Sequence, residues 1–187
     1  MSRLSIPTHD AAPEASKPIL DAVKQQLGTV PNLFRVIANS PVALGAYAGF
    51  QGALGKALDL KTRERIALAV AQGNGCAYCL SAHSYLARNL AKLTAEEVAL
   101  NRRGASGDAK ADAAVAFAAK VARERGHVDA ADVAAVRAAG FTDGQIVEIV
   151  ALVAENSFTN FLNEVAGTEI DFPLVEPELE PAQEVAA

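Results

Sequence analysis

The sequence predicts an all-α domain. Helix start and stop signals alternate along the whole chain, and no stretch shows the sustained apolar–polar alternation of a strand. Half of the residues are apolar but only 5% are aromatic, and much of the remainder is alanine, which suits closely packed helices. At 187 residues there is room for one domain with a substantial core, and two would be cramped.

Pro18 to Leu27 reads as a short amphipathic helix that Gly28 ends in the left-handed conformation. Thr29-Val30-Pro31-Asn32 turns the chain into a second short helix, Leu33 to Ala38. Ser40-Pro41 is a side-chain cap followed by proline at the first helical position, and it opens a helix from Val42 to about Leu58. Small residues on several faces of that helix (Gly45, Ala46, Ala48, Gly49, Gly52, Ala53) predict close packing on more than one side.

Thr62 to Gln72 is the next helix, stopped by Gly73-Asn74-Gly75, and Cys76 starts another that runs to about Lys92. Thr94 with Glu97 forms a capping box for Ala95 to Arg102. Asp108 opens an alanine-rich helix ending near Gly126, and Asp129 opens one ending at Gly140. Thr142 with Gln145 is a second capping box, and the last helix runs from Asp143 to about Ala166, ended by Gly167.

The formal charge of −5 argues against a general nucleic-acid binder. Six acids and no Lys or Arg lie between Glu169 and Ala187, so the rest of the chain, with 17 basic against 16 acidic residues, is nearly neutral. Pro173, Pro177 and Pro181 forbid a long helix there. The expected organisation is an N-terminal arm (1–17), a helical domain (18–173) and an acidic mobile tail (174–187). Neither a signal peptide nor a membrane span is read, so a cytoplasmic protein is expected. In that reducing compartment a close cysteine pair is more often catalytic or metal-binding than a structural disulfide.

The only two cysteines stand in Cys76-Ala-Tyr-Cys79-Leu-Ser-Ala-His83. On a helix, residues three or four apart share a face, so Cys76, Cys79 and His83 form one stripe. Cys76 falls at the helix N-terminus, where free amides and the dipole favour a thiolate. His83 lies one turn beyond Cys79, within reach of its proton. A nucleophile, a second thiol and a base are the parts of dithiol redox chemistry: thiolate attack, sulfenic acid, then a disulfide. Glu64, on the preceding helix, is the candidate carboxylate to orient His83; Lys61, Arg63 and Arg65 are rival partners for it.

With eleven residues between Glu64 and Cys76, this Glu, Cys, Cys, His spacing resembles the core motif of AhpD-like alkylhydroperoxidases, within the carboxymuconolactone decarboxylase family. Gly28-Thr29-Val30-Pro31-Asn32-Leu33-Phe34 resembles the opening of the "peroxidase-related enzyme" branch. Asn156-x-Phe158-x-Asn160 and Asp171-Phe172-Pro173 resemble its C-terminal part. The resemblance spans roughly residues 28 to 173. It implies a helical fold assembled into homo-oligomers, often trimers or hexamers. It also implies reduction of organic or hydrogen peroxides without metal, haem or other cofactor. In the family's relay Cys79 is peroxidatic, Cys76 resolves it, and His83 and Glu64 move the proton. The helix-terminus argument favours Cys76 instead. The reductant is an external dithiol: a lipoyl domain, a thioredoxin-like protein or a small thiol. In the best-known alkylhydroperoxidase a second histidine lies between the cysteines; Tyr78 stands there here, a poor base at neutral pH with an unperturbed pKa of about 10.

Rival readings remain. The cysteines read alternatively as two small buried hydrophobes, or with His83 and Glu64 as a tetrahedral zinc shell. The protein reads alternatively as a decarboxylase of the same family, or as a non-enzymatic redox-sensing oligomer. Asn156, Asn160 and Asn163 repeat at helical spacing, a polar stripe expected to face solvent or a partner subunit. Phe34, Tyr47, Phe50, Phe158 and Phe161 are expected in the core, at an interface, or lining an apolar peroxide pocket.

Overall fold

The computed structural model describes residues 2–178. A 3-10 turn, Glu14–Ser16, leads into α1 (Lys17–Leu27), α2 (Asn32–Ile37), α3 (Pro41–Leu54), α4 (Leu60–Gly73) and α5 (Ala77–Asn89). Then follow α6 (Ala95–Arg102), α7 (Ala109–Arg123), α8 (Ala130–Ala138) and α9 (Asp143–Ala166). No strand occurs among the described residues, and no helix there is long and apolar enough to cross a membrane.

Most expected boundaries hold within a residue or two, and the exceptions have local causes. Helix α3 stops at Leu54 rather than Leu58 because the next cap lies close by: the Asp59 carboxylate accepts from the Thr62 amide at 3.1 Å, so α4 begins at Leu60. Helix α5 ends at Asn89, and Lys92 sits in the left-handed region with φ of 57°. Thr94 caps α6 through the Glu97 amide at 3.2 Å, but the Glu97 carboxylate does not reciprocate. It accepts instead from Arg65 Nε (2.8 Å), Asn101 Nδ2 (3.0 Å), Ser106 Oγ (2.5 Å) and the Gly107 amide (2.9 Å). The Thr142–Gln145 box forms, and so does Asp129–Asp132, which the sequence reading passed over.

Helix α4 is the axis of the fold, with Ile66 to Ala71 buried without interruption. On one side Ile66 and Val70 join Phe117 and Val121 of α7, Val136 of α8 and Ile149 of α9. On the other, Leu68 and Ala71 pack with Leu80 and Ala87 of α5. A third cluster joins α1, α2 and α3 through Leu20, Val23, Phe34, Ile37, Leu44 and Tyr47. Each fully buried Leu, Ile, Val or Phe among them contributes about 1.5–3 kcal/mol on leaving water.

The small-residue helix does not pack on several sides within the chain. Gly45, Gly49, Gly52, Ala46 and Ala53 are exposed, and a Cβ at any of the three glycines would meet nothing within 4 Å. At the start of the chain, Arg3 and Ser2 bond carbonyls at the end of α9, and Arg35 holds the Ile6 and Pro7 carbonyls at 3.0 and 2.8 Å. Beyond α9 the chain returns along α5, where the Val175 amide donates to Ser81 Oγ at 2.9 Å. Arg102 Nη2 holds the Glu176 carbonyl at 2.8 Å. Of the expected mobile tail, residues 179–187 lie outside the described residues.

Burial opposes ionisation of Glu97, but bonds from Ser106, Gly107, Asn101 and Arg65 outweigh it and hold the carboxyl down at about 2. Because the folded value is depressed, its stabilisation is complete above the ordinary glutamate range and is lost as pH falls towards 2. Urea unfolding at neutral pH should find Glu97→Ala destabilised by about 3 kcal/mol. The gap to the native chain should narrow steadily below about pH 4.

Candidate functional site

The site is assembled at the reversal between α4 and α5. After Gly73, Gly75 takes φ of 68°, a conformation that side chains rarely adopt, and the Cys76 amide bonds back to the Ala71 carbonyl at 3.0 Å. Cys76 is thereby the N-cap of α5, its Sγ accepting from the Cys79 amide at 3.4 Å. One turn on, Cys79 Sγ lies 2.9 Å from Cys76 Sγ. Both are free thiols, and both are buried.

The reversal also lays α5 against α4, so His83 meets Glu64: Nδ1 is 2.9 Å from Oε2. Glu64 is 8% exposed, which makes a partner necessary. Two of the rival partners are occupied elsewhere, Arg65 by Glu97 and Arg63 by the Leu58 carbonyl. Burial disfavours the imidazolium, but the charge and hydrogen bond of Glu64 outweigh it and raise His83 above its ordinary value.

The two thiols differ sharply. Cys79 is lowered to about 7, first by the hydrogen bond from Cys76, then by Asn163 and the charge of His83, against the opposing effect of burial. Cys76 is pushed far up, by sharing its proton with Cys79 and by burial. The backbone amide at the helix start does point at Cys76, as the helix-terminus argument expects. The acidity nevertheless settles on Cys79, which receives the donors.

Cys79, His83 and Glu64 line a cavity of about 660 Å³, together with Tyr47, Leu152 and Glu155. Cys76 is absent from its described walls. A neighbouring space of about 620 Å³ shares Tyr47, Tyr78 and His83 with it and extends to Tyr85, Phe172 and Pro173. Phe34 and Tyr47 line both spaces, whereas Phe50, Phe158 and Phe161 are exposed.

Tyr78 is a strut. Its hydroxyl donates to Asp171 Oδ1 at 2.8 Å and accepts from the Leu33 amide at 3.1 Å, while Asp171 Oδ2 takes the Asn32 amide at 2.8 Å. Burial, chiefly, pushes its hydroxyl well above the ordinary tyrosine value. The two segments Val30-Pro31-Asn32-Leu33 and Asp171-Phe172-Pro173, far apart in sequence, are thus tied at the side chain between the two cysteines.

The asparagine stripe corrects the sequence reading. Asn156, Asn160 and Asn163 are 6%, 0% and 2% exposed, so they face inward rather than towards solvent. Asn163 Nδ2 donates to Cys79 Sγ at 3.3 Å, and Asn160 Oδ1 accepts from Asn74 Nδ2 at 2.9 Å. Glu155, one turn from Thr159 along the cavity wall, was also missed; burial raises its carboxyl. Among the described residues, no group of three His, Cys, Asp or Glu is arranged to hold a metal ion.

The model of the carboxymuconolactone decarboxylase family matches residues 41–124, which include Glu64, both cysteines and His83. A solved peroxidase-related protein from Ralstonia eutropha JMP134, described as an alkylhydroperoxidase AhpD core, is 31% identical. The match covers 91% of this chain and 92% of that one, with a TM-score of 0.81. The chain belongs to the AhpD-like group of the carboxymuconolactone decarboxylase family.

A second solved structure, a peroxidase-related protein from Silicibacter sp. TM1040, is 26% identical over 90% of this chain and 91% of that one, with a TM-score of 0.78. The fold is shared more widely. The debrominase Bmp8, solved with 2,3,4-tribromopyrrole, matches at 21% identity over 90% of this chain and 91% of that one, with a TM-score of 0.75. No curated protein matches the chain. The match to the carboxymuconolactone decarboxylase family model ends before α9, so it includes neither Glu155 nor the asparagines behind Cys79.

Because His83 is raised on folding, the stability it contributes is complete below about pH 6.5 and is lost as pH rises through its folded value. Glu64→Gln removes the cause of that shift. Thermal melts should find this variant destabilised more at about pH 5.5 than at about pH 8.5. Equal losses at both would mean that the pair is not charged in the folded state.

Proposed function

We propose that this chain is a thiol-dependent peroxidase acting on alkyl or hydrogen peroxides, with Cys79 as the attacking sulfur. The observation that carries the proposal is an asymmetry: Cys79 opens on the cavity beside His83 and Glu64, and Cys76 sits behind it. The Cys79 thiolate attacks one oxygen of the peroxide, the O–O bond breaks, and the departing oxygen takes a proton from the His83 imidazolium that Glu64 holds. Cys79 is left as a sulfenic acid. The Cys76 thiol then attacks the Cys79 sulfur, its proton leaves with the hydroxyl as water, and a disulfide remains.

The 2.9 Å separation supports that second step. A disulfide is about 2.05 Å long, so the sulfurs need approach by less than about 1 Å. Two electrons from an external dithiol, lipoyl, thioredoxin-like or small, restore the pair. The reading fits a cytoplasmic protein, where such reductants are kept reduced. A decarboxylase reading gives the two thiols no role, and a sensor reading would leave the cavity unused.

For the expected homo-oligomer, trimer or hexamer, the support is an apolar stripe on α9. Val147, Val150, Ala154, Phe158, Phe161 and Val165 recur at helical spacing and are all exposed. Beside it lies the open face of α3, with Phe50 at 42% exposed and the Tyr47 ring tilted against that of Phe158, centroids 5.8 Å apart. A second copy of the same chain fits such a self-similar apolar face. Phe161→Glu should lower the mass found by sedimentation; an unchanged mass would remove α9 from any interface.

The chemistry is tested with a panel of hydrogen peroxide, cumene hydroperoxide and, because of the shared fold, 2,3,4-tribromopyrrole, each with a dithiol. Peroxide consumption should vanish in Cys79→Ser, while Cys76→Ser should leave a trappable sulfenic acid. The reverse pattern would exchange the two roles. Two thiols that survive peroxide unchanged would sink the peroxidase.

A further inference from the structure

Behind the sulfur that opens on the cavity lies a buried pair of carboxamides that the motif does not include. Asn160 and Asn163, three residues apart on α9, present to the same side, and both are essentially removed from solvent. Asn163 Nδ2 donates to Cys79 Sγ at 3.3 Å, across 84 residues of sequence. Asn160 is oriented by Asn74, whose Nδ2 occupies its Oδ1 at 2.9 Å, and its own Nδ2 has no partner among the described residues. A fully buried amide donor left unpaired is costly, and such groups call for a reason.

We propose that Asn163 and Asn160 form a two-donor cradle for the negative charge of Cys79, Asn163 on the thiolate and Asn160 on the oxygen that the sulfur acquires. This deepens the peroxidase reading and rests on it for the second half only. In the resting state the donor on the sulfur favours the charged form, in agreement with the lowering of Cys79 to which the Asn163 hydrogen bond contributes. On attack the sulfur gains one oxygen from the peroxide, the O–O bond pair leaves with the other oxygen, and a proton from His83 completes the alcohol or water. The oxygen that the sulfur gains brings its hydrogen, so the first product is the sulfenic acid. His83, left neutral, takes that proton back, and the sulfenate oxygen then carries the charge that the sulfur held, one bond farther out. A second N–H kept free of other bonds is what that oxygen needs before Cys76 displaces it.

The other titratable groups around Cys79 are Cys76, Tyr78 and His83 on α5, Glu64 on α4, Tyr47 on α3 and Glu155 on α9. None of them is altered in the test. The midpoint of thiolate formation is read in the full chain by ultraviolet absorbance and by the rate of iodoacetamide alkylation, neither of which depends on peroxidase activity. Asn163→Leu, close in shape but without the donor, should raise that midpoint by about one pH unit, a tenfold loss of thiolate at a fixed pH below it. Asn163→Asp should raise it further. In Asn160→Leu the midpoint should move less, while stoichiometric oxidation by hydrogen peroxide, corrected for thiolate present, should slow about tenfold.

An unmoved midpoint in folded Asn163 variants overturns the thiolate half. An unchanged corrected rate in Asn160→Leu overturns the sulfenate half. If the variants do not fold, the native protein decides: the Asn163 side-chain amide resonances should titrate with the Cys79 midpoint, and resonances that stay put overturn the proposal. A chain whose midpoint shifts as stated but which turns over no peroxide would retire the peroxidase reading and leave the thiolate donor standing.

Discussion

A carboxylate on the most buried helix of the molecule must have a partner, and the α4–α5 reversal supplies it. Glu64 lies next to the unbroken apolar run Ile66 to Ala71, where an unpaired charge would cost several kcal/mol. The hydrogen bond to His83 meets that requirement and fixes the rotation of α5 against α4. Once α5 is set, the stripe that carries His83 also carries Cys79, so the sulfur is delivered to the same cavity. The Gly75 conformation makes the reversal tight enough for this. Packing, charge pairing and placement of the nucleophile are one constraint seen at three levels.

The second consequence is a division of labour between chemically identical side chains. A helix start offers its amides to Cys76, and in isolation that would make Cys76 the more acidic thiol. Burial weakens the benefit, and the shared proton between two sulfurs 2.9 Å apart can rest on only one of them. Asn163 and His83 favour charge on Cys79, so the proton rests on Cys76. A thiolate facing the cavity with a protonated thiol behind it has the polarity that sulfenic acid formation followed by condensation requires. Tyr78, which replaces a base of the family's best-known member, takes no part in that polarity and holds two distant segments against α5 instead.

Much of this was legible in the sequence because it is local. Ser40-Pro41, Thr142 with Gln145, and the glycine stops are short-range signals, and the helices begin and end near them. The spacing of Cys76, Cys79 and His83 guarantees a shared face on any helix. Glu64 was nameable because its interval to Cys76 matches a family pattern. What failed was orientation. Asn156, Asn160 and Asn163 read as a polar stripe facing solvent or a partner subunit, and Phe158 and Phe161 as core, interface or pocket lining. In the monomer α9 is inverted, with the amides inside and the aromatic face bare. Amphipathicity states that a helix has two faces, and tertiary context decides which one is covered. The tie between Asn163 and Cys79 spans 84 residues and leaves no local trace. Glu97 was likewise read as a capping partner, but a buried guanidinium competed for it and won.

The account stands or falls on which sulfur is ionised in the resting protein. The chain has only two cysteines, so incorporating cysteine labelled with carbon-13 at Cβ gives two resonances, assigned by Cys76→Ser and Cys79→Ser. In the native chain, the Cys79 resonance should titrate with a midpoint of about 7 while that of Cys76 stays in its thiol position well above it. A Cys76 resonance that moves first, or two resonances that move together near the ordinary cysteine value, would contradict the account.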